Sequence, residues 1–173
     1  SKSLGIAAIY QQPALFPELT VAENIAIGLE NKGSFGRVNW KERRRIAQEL
    51  LARVGAKINP ETTAGELSMP QQQLVEIARA MAIEPRILLL DEPAAGLNAT
   101  ETASLGQMLR QLNGQGVTVL IVEHDLDFMM GLCNRVGVVE HGVKIAEGLP
   151  SEVRCDEKGI EAYLGRRGGN AEN

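Results

Sequence analysis

The sequence predicts an α/β fold built around a parallel sheet, and three observations support this. Residues 87–90 are four large aliphatics, typical of a strand that helices cover on both faces. Residues 117–122 form a second apolar run, which we expect to be a buried strand as well. The segments around these runs show helical periodicity with capping signals. Both strands end in polar residues, Asp91-Glu92 and Glu123-His124, which should lie at the carboxyl edge of the sheet, where open α/β sheets bind ligands.

Composition and charge narrow the class of protein. The 173 residues are 44% hydrophobic and 23% charged, which is ordinary for one globular core. No apolar run approaches the roughly 20 residues that span a bilayer, and no charged-then-apolar signal peptide opens the sequence, so any membrane role must work through a partner. The net charge of −4 argues against general nucleic-acid binding. Cys133 and Cys155 have no metal-type or redox-type spacing, and we expect reduced thiols in a cytosolic protein.

The region between residues 12 and 82 is predicted to be mainly helical. Two helices begin with a short polar residue that is followed three positions later by an acid: Thr20 with Glu23, and Asn39 with Glu42. Gly55 supplies a stop for the second helix. The composition of residues 31–36 predicts a loop between the two helices.

A third helix is predicted from Ser68 to Ala82. Ser68 and Gln71 fit a capping box, and an apolar stripe follows at helical spacing, formed by Leu74, Ile77, Ala78 and Met81. A capped amphipathic helix explains this segment without any ligand. The functional alternative is that the helix N-terminus, with its unpaired amides and positive dipole end, faces a phosphate.

The remaining elements follow from similar local signals. Asn98 with Glu101 predicts the N-cap of another helix, whose buried stripe contains Leu105, Met108, Leu109 and Leu112. A short helix is expected after His124, and two short strands, residues 136–140 and 143–147, around a His141-Gly142 turn. Residues 151–164 are predicted to be helical and residues 165–170 to form a mobile tail.

The two adjacent carboxylates after the first apolar run suit phosphoryl-transfer chemistry. At a strand end of this kind Asp91 can hold the magnesium of a nucleotide, while Glu92 polarises the attacking water. The alternative is an ordinary strand end without a ligand.

Four further segments surround this strand in a fixed order: Tyr10-Gln11-Gln12-Pro13, residues 67–73, residues 94–98, and Glu123-His124-Asp125. In that order they resemble the Q-loop, signature motif, D-loop and H-loop of ABC-type ATPases, with residues 87–93 as the Walker B strand. The resemblance covers nearly the whole chain. It implies a P-loop NTPase-type parallel sheet core with an inserted helical subdomain. The implied divisions are a core strand and the start of the Q-loop (1–11), the helical subdomain (12–82), the α/β core (83–148), and a C-terminal helix and tail (149–173).

The resemblance also implies a role for each matching residue, with ATP and Mg²⁺ as cofactors. The implied catalytic residues are Glu92 as general base, His124 as the switch histidine and Gln11 as the sensor of the γ-phosphate or lytic water. Asp91 holds magnesium through water, and Gln11 also contacts the metal. The implied nucleotide contacts are Ser68, Gln71, Asp91 and Asn98, where Ser68 and Gln71 serve the site of a second subunit. Asn98 stands where many family members carry the D-loop Asp, and structural roles remain the alternative for His124 and Gln11.

Two departures from the family pattern affect these expectations. The sequence contains no Gly-Lys dipeptide, so the phosphate-binding Walker A loop is missing, and the resemblance implies a chain truncated before that loop and before the N-terminal β-subdomain. ATP hydrolysis is therefore expected of the complete protein rather than of this chain. In the signature motif Met69 and Pro70 replace two glycines, and Pro70 contributes no amide to a phosphate.

The finer resemblance indicates the ATP-binding subunit of a bacterial ABC importer, at the cytoplasmic face of the inner membrane. Residues 91–98, 147–150 and 161–165 resemble branched-chain amino acid importers, whereas residues 15–24 and 67–81 also resemble simple-sugar importers. The resemblance therefore implies branched-chain amino acids as the expected solute, with simple sugars as the alternative. The implied partners are transmembrane permease subunits, a second ATP-binding subunit and, indirectly, a solute-binding protein. Two alternatives remain open: an ABC ATPase of repair or translation, and a truncated remnant that binds a partner without ATPase activity.

Overall fold

The computed structural model describes residues 4–29 and 39–155. The chain forms two compact units, residues 1–122 and 123–173. In the first unit the elements are β1 (Ile6–Ile9), α1 (Val21–Gly28), α2 (Trp40–Arg53), α3 (Met69–Met81), β2 (Ile87–Asp91), α4 (Ala99–Gly114) and β3 (Thr118–Val122). In the second they are α5 (Leu126–Leu132), β4 (Val136–Glu140), β5 (Val143–Gly148) and α6 (Pro150–Cys155). The predicted loop at 31–36, the predicted helix beyond Cys155 and the predicted tail lie outside the described residues.

The first unit contains the predicted parallel sheet, in the order β1-β2-β3. The central strand β2 pairs with both neighbours, from Ile6 opposite Ile87 on one side to Asp91 opposite Val122 on the other. The α/β fold class is therefore confirmed. Because all three strands run in the same direction, their carboxyl ends share one edge of the sheet. At that edge Asp91 is the last residue of β2, and Gln11 lies two residues after the end of β1.

Two burial predictions are wrong: that residues 87–90 form a strand buried on both faces, and that residues 117–122 form a buried strand. In β2, Leu88 and Leu90 are fully buried, but Ile87 and Leu89 on the other face are only half-buried. In β3, Leu120 is 52% exposed. The physical reason is that, within the described part of the chain, β3 pairs with β2 alone and has α4 against only one face.

Three helices form a cluster in which α1, α2 and α3 all contact one another, and α3 also contacts β1. Ile25, Leu51, Ile77 and Met81 are among the fully buried side chains of this cluster. Burial of such side chains contributes roughly 1.5–3 kcal/mol each, so packing rather than helix propensity stabilises these short helices. Among the described residues, no helix is long and apolar enough to cross a membrane.

The helix boundaries follow the predicted caps. At the start of α1 the Glu23 amide donates to the Thr20 hydroxyl at 3.2 Å, and the Thr20 amide donates to the Glu23 carboxylate at 2.8 Å. Helix α2 ends at Arg53, and Gly55, two residues later, has a φ of +70°. There the Gly55 amide donates to the Ala52 carbonyl at 3.0 Å and the Ala56 amide to the Leu51 carbonyl at 2.9 Å. This pair of bonds is the Schellman arrangement, which favours glycine at the left-handed position.

A backbone ladder ties the segment before and at the start of α1 to the segment that precedes α3. In each of its four bonds a backbone amide donates to a backbone carbonyl at 2.9–3.0 Å: Val21 to Thr62, Ala22 to Pro60, Ala64 to Leu19, and Gly65 to Pro17. The fully buried side chain of Asn24 also forms hydrogen bonds with the segment before α1. Its oxygen accepts from the Phe16 amide at 2.8 Å, and its nitrogen donates to the Phe16 and Thr20 carbonyls at 3.0 Å. We call residues 13–20 the linker segment, because they connect Gln11 to α1.

The second unit contains the predicted hairpin and helices. Strands β4 and β5 are antiparallel around the His141-Gly142 turn, with a register shift at Val138–Val139. Asp125 caps α5 by accepting from the Phe128 amide at 3.0 Å, and α6 lies against β5. The boundaries predicted for the four sequence divisions stay a prediction.

Candidate functional site

The two adjacent carboxylates lie at the carboxyl end of β2, as predicted. Asp91 is the last residue of the strand and pairs with Val122 of β3. The ladder continues one residue further, because the Glu92 amide donates to the Val122 carbonyl at 2.8 Å. Glu92 has a φ of +46°, in the left-handed region that few residues other than glycine adopt. Such a strained backbone at a strand end is a common property of functional sites.

Gln11 joins these carboxylates across the sheet edge. Its side-chain nitrogen donates to Glu92 Oε2 at 2.7 Å. Gln11 follows β1, which is the direct neighbour of β2, so the parallel register brings two residues 81 positions apart into contact. The structure therefore brings Gln11, Asp91 and Glu92 to one edge, and these three residues are the centre of the candidate site.

Asn98 lies beyond a tight turn that leads from Glu92 into α4. The Ala95 amide donates to the Glu92 carbonyl at 3.1 Å within this turn. Asn98 Oδ1 accepts from the amides of Thr100 and Glu101, both at 3.0 Å, and Glu101 accepts from the Asn98 amide at 2.9 Å. The capping role of Asn98 is thus confirmed, while its nucleotide contact stays a prediction.

Ser68 and Gln71 lie at the start of α3 and bond to each other. The Ser68 amide donates to Gln71 Oε1 at 3.0 Å, and its hydroxyl donates to the same oxygen at 3.2 Å. Both residues are exposed, and Pro70 occupies the first turn, where a missing amide leaves no helical bond unmade. The exposure leaves both side chains accessible to a ligand, so their nucleotide contact stays a prediction.

His124 belongs to the second unit. Its backbone amide donates to Glu123 Oε2 at 3.1 Å, and its Nδ1 lies 3.7 Å from the same carboxylate oxygen. The imidazole is 62% exposed, whereas the Glu123 side chain is almost fully buried. The predicted role of His124 as a switch histidine stays a prediction.

The residues at the sheet edge suit magnesium that is shared with a nucleotide. Mg²⁺ prefers oxygen ligands, keeps several waters and is usually held by one or two carboxylates together with substrate phosphates. Asp91 and Glu92 supply two carboxylates, and Gln11 an amide. Within residues 4–29 and 39–155 no cluster of three or more His, Cys, Asp or Glu side chains offers a metal cage made by the protein alone. The donor set therefore fits Mg²⁺ with ATP, with Asp91 as the residue that would hold the ion.

Sequence reasoning missed Glu76 on α3, which is buried although it carries a charge. It accepts from the Ala14 amide at 2.8 Å and pairs with Arg79 at 2.7 Å. Burial raises the pKa of Glu76, against the opposing effects of the Ala14 amide and Arg79. One feature of the sequence could have indicated this burial: Glu76 is an acid between the apolar residues Val75 and Ile77, in a helix for which a buried stripe was predicted.

Comparison with family models gives two matches. The ABC transporter family matches residues 1–95. A second model, the branched-chain amino acid ATP-binding cassette transporter, matches residues 143–168.

Curated relatives give matches over almost the whole chain. The ribose import ATP-binding protein RbsA 2 of Streptomyces avermitilis is 41% identical over 96% of this chain and 33% of its own length. RbsA 1 of Streptomyces coelicolor is 37% identical over the same shares. The chain thus spans about a third of the length of these relatives.

Solved structures give a similar result. The ADP conformation of MJ1267, an ATP-binding cassette of an ABC transporter, matches with a TM-score of 0.77 and 30% identity, over 95% of this chain and 70% of that one. The dimeric structure of MJ0796, a bacterial ABC transporter cassette, matches with a TM-score of 0.69 and 32% identity, over 83% of this chain and 62% of that one.

Proposed function

The chain belongs to the ABC transporter family of ATP-binding cassettes, and from this premise we propose that it works in a solute importer that couples ATP hydrolysis to uptake. The observation that carries the proposal is the bond of 2.7 Å between Gln11 and Glu92 at the carboxyl edge of the parallel sheet. It supports a site in which a water-activating carboxylate is held by a residue on the neighbouring strand. ATP hydrolysis belongs in this proposal to the assembled transporter, because no Gly-Lys dipeptide in this chain cradles the phosphates.

The residues at this edge divide the chemistry between them. Asp91 would hold Mg²⁺, which when bound would neutralise charge at the phosphates. Glu92 acts as the general base that orients the attacking water, and Gln11 fixes the position of its carboxylate. The left-handed backbone of Glu92 points to the same conclusion, since strain at a strand end persists where the surrounding structure holds a functional side chain.

A second ATP-binding subunit completes the site. Ser68 and Gln71, exposed at the start of α3, would contact the nucleotide of the partner subunit, and Asn98 would lie near the same interface. Two of the similar structures are described as dimeric, one of them bound to ADP and Pi. His124 would act as the switch histidine at the γ-phosphate.

The transmembrane permease would dock beside the linker segment. A groove of about 330 Å³ lies between α1 and the start of α2, lined by Leu19, Ile27, Trp40, Arg43 and neighbouring residues. Ile27 is 53% exposed and Trp40 is 45% exposed, so an apolar surface is available to a partner helix. A subunit held in this way lies at the cytoplasmic face of the membrane without crossing it. Because Trp40 is the single tryptophan of the sequence, fluorotryptophan labelling of this chain gives one fluorine resonance, which should shift when unlabelled permease is added. Ile27→Glu should suppress that shift.

The decisive experiment compares ATP turnover and MgATP binding in the assembled transporter. Glu92→Gln should lower turnover at least roughly 100-fold, as expected for loss of a general base, and should leave the dissociation constant of MgATP nearly unchanged. Glu49→Gln, at an exposed position of α2, is the matched control and should change neither quantity. Normal turnover in Glu92→Gln would refute the assignment.

We propose a sugar of the ribose type as the solute. The curated relatives that align over nearly the whole chain are ribose import proteins, whereas the branched-chain amino acid match covers residues 143–168 alone. That C-terminal match favours branched-chain amino acids as the second candidate. Uptake of labelled ribose and labelled leucine by cells with and without the gene distinguishes the two, and the ribose proposal fails if leucine uptake alone is lost.

A further inference from the structure

Two side chains of α3 bind both polar groups of Ala14 in the linker segment. The Ala14 amide donates to Glu76 Oε1 at 2.8 Å, and Arg79 Nη1 donates to the Ala14 carbonyl at 2.9 Å. Arg79 Nη2 also donates to Glu76 Oε1 at 2.7 Å, so the two side chains and the backbone of Ala14 form a closed ring of hydrogen bonds. We call Glu76 and Arg79 the Ala14 clamp.

The clamp is placed where charges are unfavourable. Among the described residues Glu76 is the charged residue whose whole surface is buried, with 4% of its side chain exposed, and Arg79 is 22% exposed. A buried ion pair is often no more stable than apolar residues of the same size. Contribution to stability alone is therefore a weak explanation for these two residues. Their chemistry suits a different task, since a carboxylate and a guanidinium together recognise the amide and the carbonyl of one residue.

The clamp lies a short distance along the chain from the candidate site. Ala14 is three residues after Gln11, and Pro13 between them restricts the backbone. Gln11 in turn donates to Glu92 at 2.7 Å. A continuous path therefore leads from the carboxylate of Glu92 through Gln11 and Ala14 to α3, the helix that begins directly after Ser68.

We propose that Glu76 and Arg79 are positioning residues that set the place of Gln11 against Glu92 by holding Ala14. The proposal rests on the proposed function, because it assigns the two residues to the same site. In this arrangement a displacement of α3 moves Ala14 with it and so moves the amide of Gln11 relative to the carboxylate. In this proposal Glu76 and Arg79 act on Glu92 through Ala14 and Gln11.

The test is nuclear magnetic resonance of the 173-residue chain without nucleotide. Two signals are followed: the exchange rate of the Ala14 backbone amide and the chemical shift of the Gln11 side-chain amide. A Glu92→Ala variant, which removes the acceptor of Gln11, supplies the reference shift of Gln11 without that bond. Glu76→Ala should accelerate exchange at Ala14 by at least about tenfold, the equivalent of one hydrogen bond. It should also move the Gln11 signal towards the reference.

Two further variants make the result specific. Glu76→Gln keeps an oxygen that can accept from Ala14, so it should retain most of the protection of that amide and the Gln11 shift. Ile77→Val loosens the core of the same helix without removing a clamp group, and it should leave the Gln11 shift at its wild-type value. If Glu76→Ala does not fold, Arg79→Met decides the question. It removes the bond to the Ala14 carbonyl and the pair with Glu76, keeps the bond from the Ala14 amide to Glu76, and should still shift Gln11.

The inference is overturned if Gln11 keeps its wild-type shift while Ala14 loses protection, since the clamp would then not position Gln11. It is also overturned if Ile77→Val moves both signals as strongly as Glu76→Ala, because general loosening would explain the effect. Neither outcome depends on nucleotide binding. A failure of the clamp thus leaves the proposed function intact, and a failure of ATP turnover leaves the clamp intact.

Discussion

Replacing Glu92 by glycine should give a more stable chain than replacing it by alanine. Glu92 adopts a φ of +46°, where a Cβ atom crowds the following carbonyl oxygen. Alanine keeps that Cβ atom and glycine does not. Both substitutions remove the bond of 2.7 Å from Gln11, so the loss of this bond cancels in the comparison.

The magnitude follows from two opposing contributions. The left-handed conformation costs a residue with a Cβ atom about 1–2 kcal/mol, while glycine loses about 0.5–1 kcal/mol more conformational free energy on folding than alanine. The difference predicts that Glu92→Gly is more stable than Glu92→Ala by about 0.5–1 kcal/mol. The sign is opposite to the usual effect of glycine within an ordered segment.

Urea denaturation measures this difference, provided that the slope of the unfolding free energy against urea is the same in both variants. Ala95→Gly is the matched control, because Ala95 lies in the same turn and is not among the residues with positive φ. It should lower the unfolding free energy by about 0.5–1 kcal/mol. Equal or greater stability of Glu92→Ala would refute the argument from backbone strain.

Three further outcomes are expected. Asn24→Ala should lower the unfolding free energy by about 3 kcal/mol, because it removes several buried hydrogen bonds and leaves the Phe16 amide unpaired; a loss below about 1 kcal/mol in urea denaturation would contradict this. Burial raises the pKa of Glu76 above its ordinary value of 4.5, so the folded state binds more protons than the unfolded state just above that pH. Wild-type stability should therefore fall relative to Glu76→Gln as the pH rises from 4.5 through the raised pKa, and parallel stability curves in the two proteins would contradict this assignment. Pro70→Gly should strengthen ATP-dependent dimerisation of the assembled cassettes, measured by sedimentation, because it restores an amide beside Ser68; unchanged dimerisation would show that Pro70 does not weaken the signature motif.

Local patterns predicted the helix starts correctly because the interacting groups are close in sequence. The Thr20–Glu23 and Asn98–Glu101 pairs are three residues apart, and their hydrogen bonds form as the cap patterns indicate. The family resemblance also predicted that Gln11 and Glu92 belong to one site. Their direct bond links residues 81 positions apart and depends on the register of β1 against β2, which the sequence does not state.

Burial was predicted less well, because it depends on what covers a strand or helix. The apolar residues of β3 do not indicate whether one or both faces of the strand are covered, and Leu120 is exposed in the structure. Glu76 was not singled out from the sequence for a related reason. A backbone amide 62 residues away in sequence makes its burial possible, and that contact depends on the fold.

The backbone ladder between residues 17–22 and 60–65 has a consequence for how this region opens. Because its bonds join two segments about 40 residues apart, neither segment can leave its place without breaking the bonds of the other. The two segments should therefore unfold as one cooperative unit, and their amides should share a single opening free energy in native-state hydrogen exchange. The stretch that follows Gln11 and the stretch that leads to Ser68 would then loosen together. Because the two segments should open together, a chimera with a related protein should replace both segments at once rather than either motif alone.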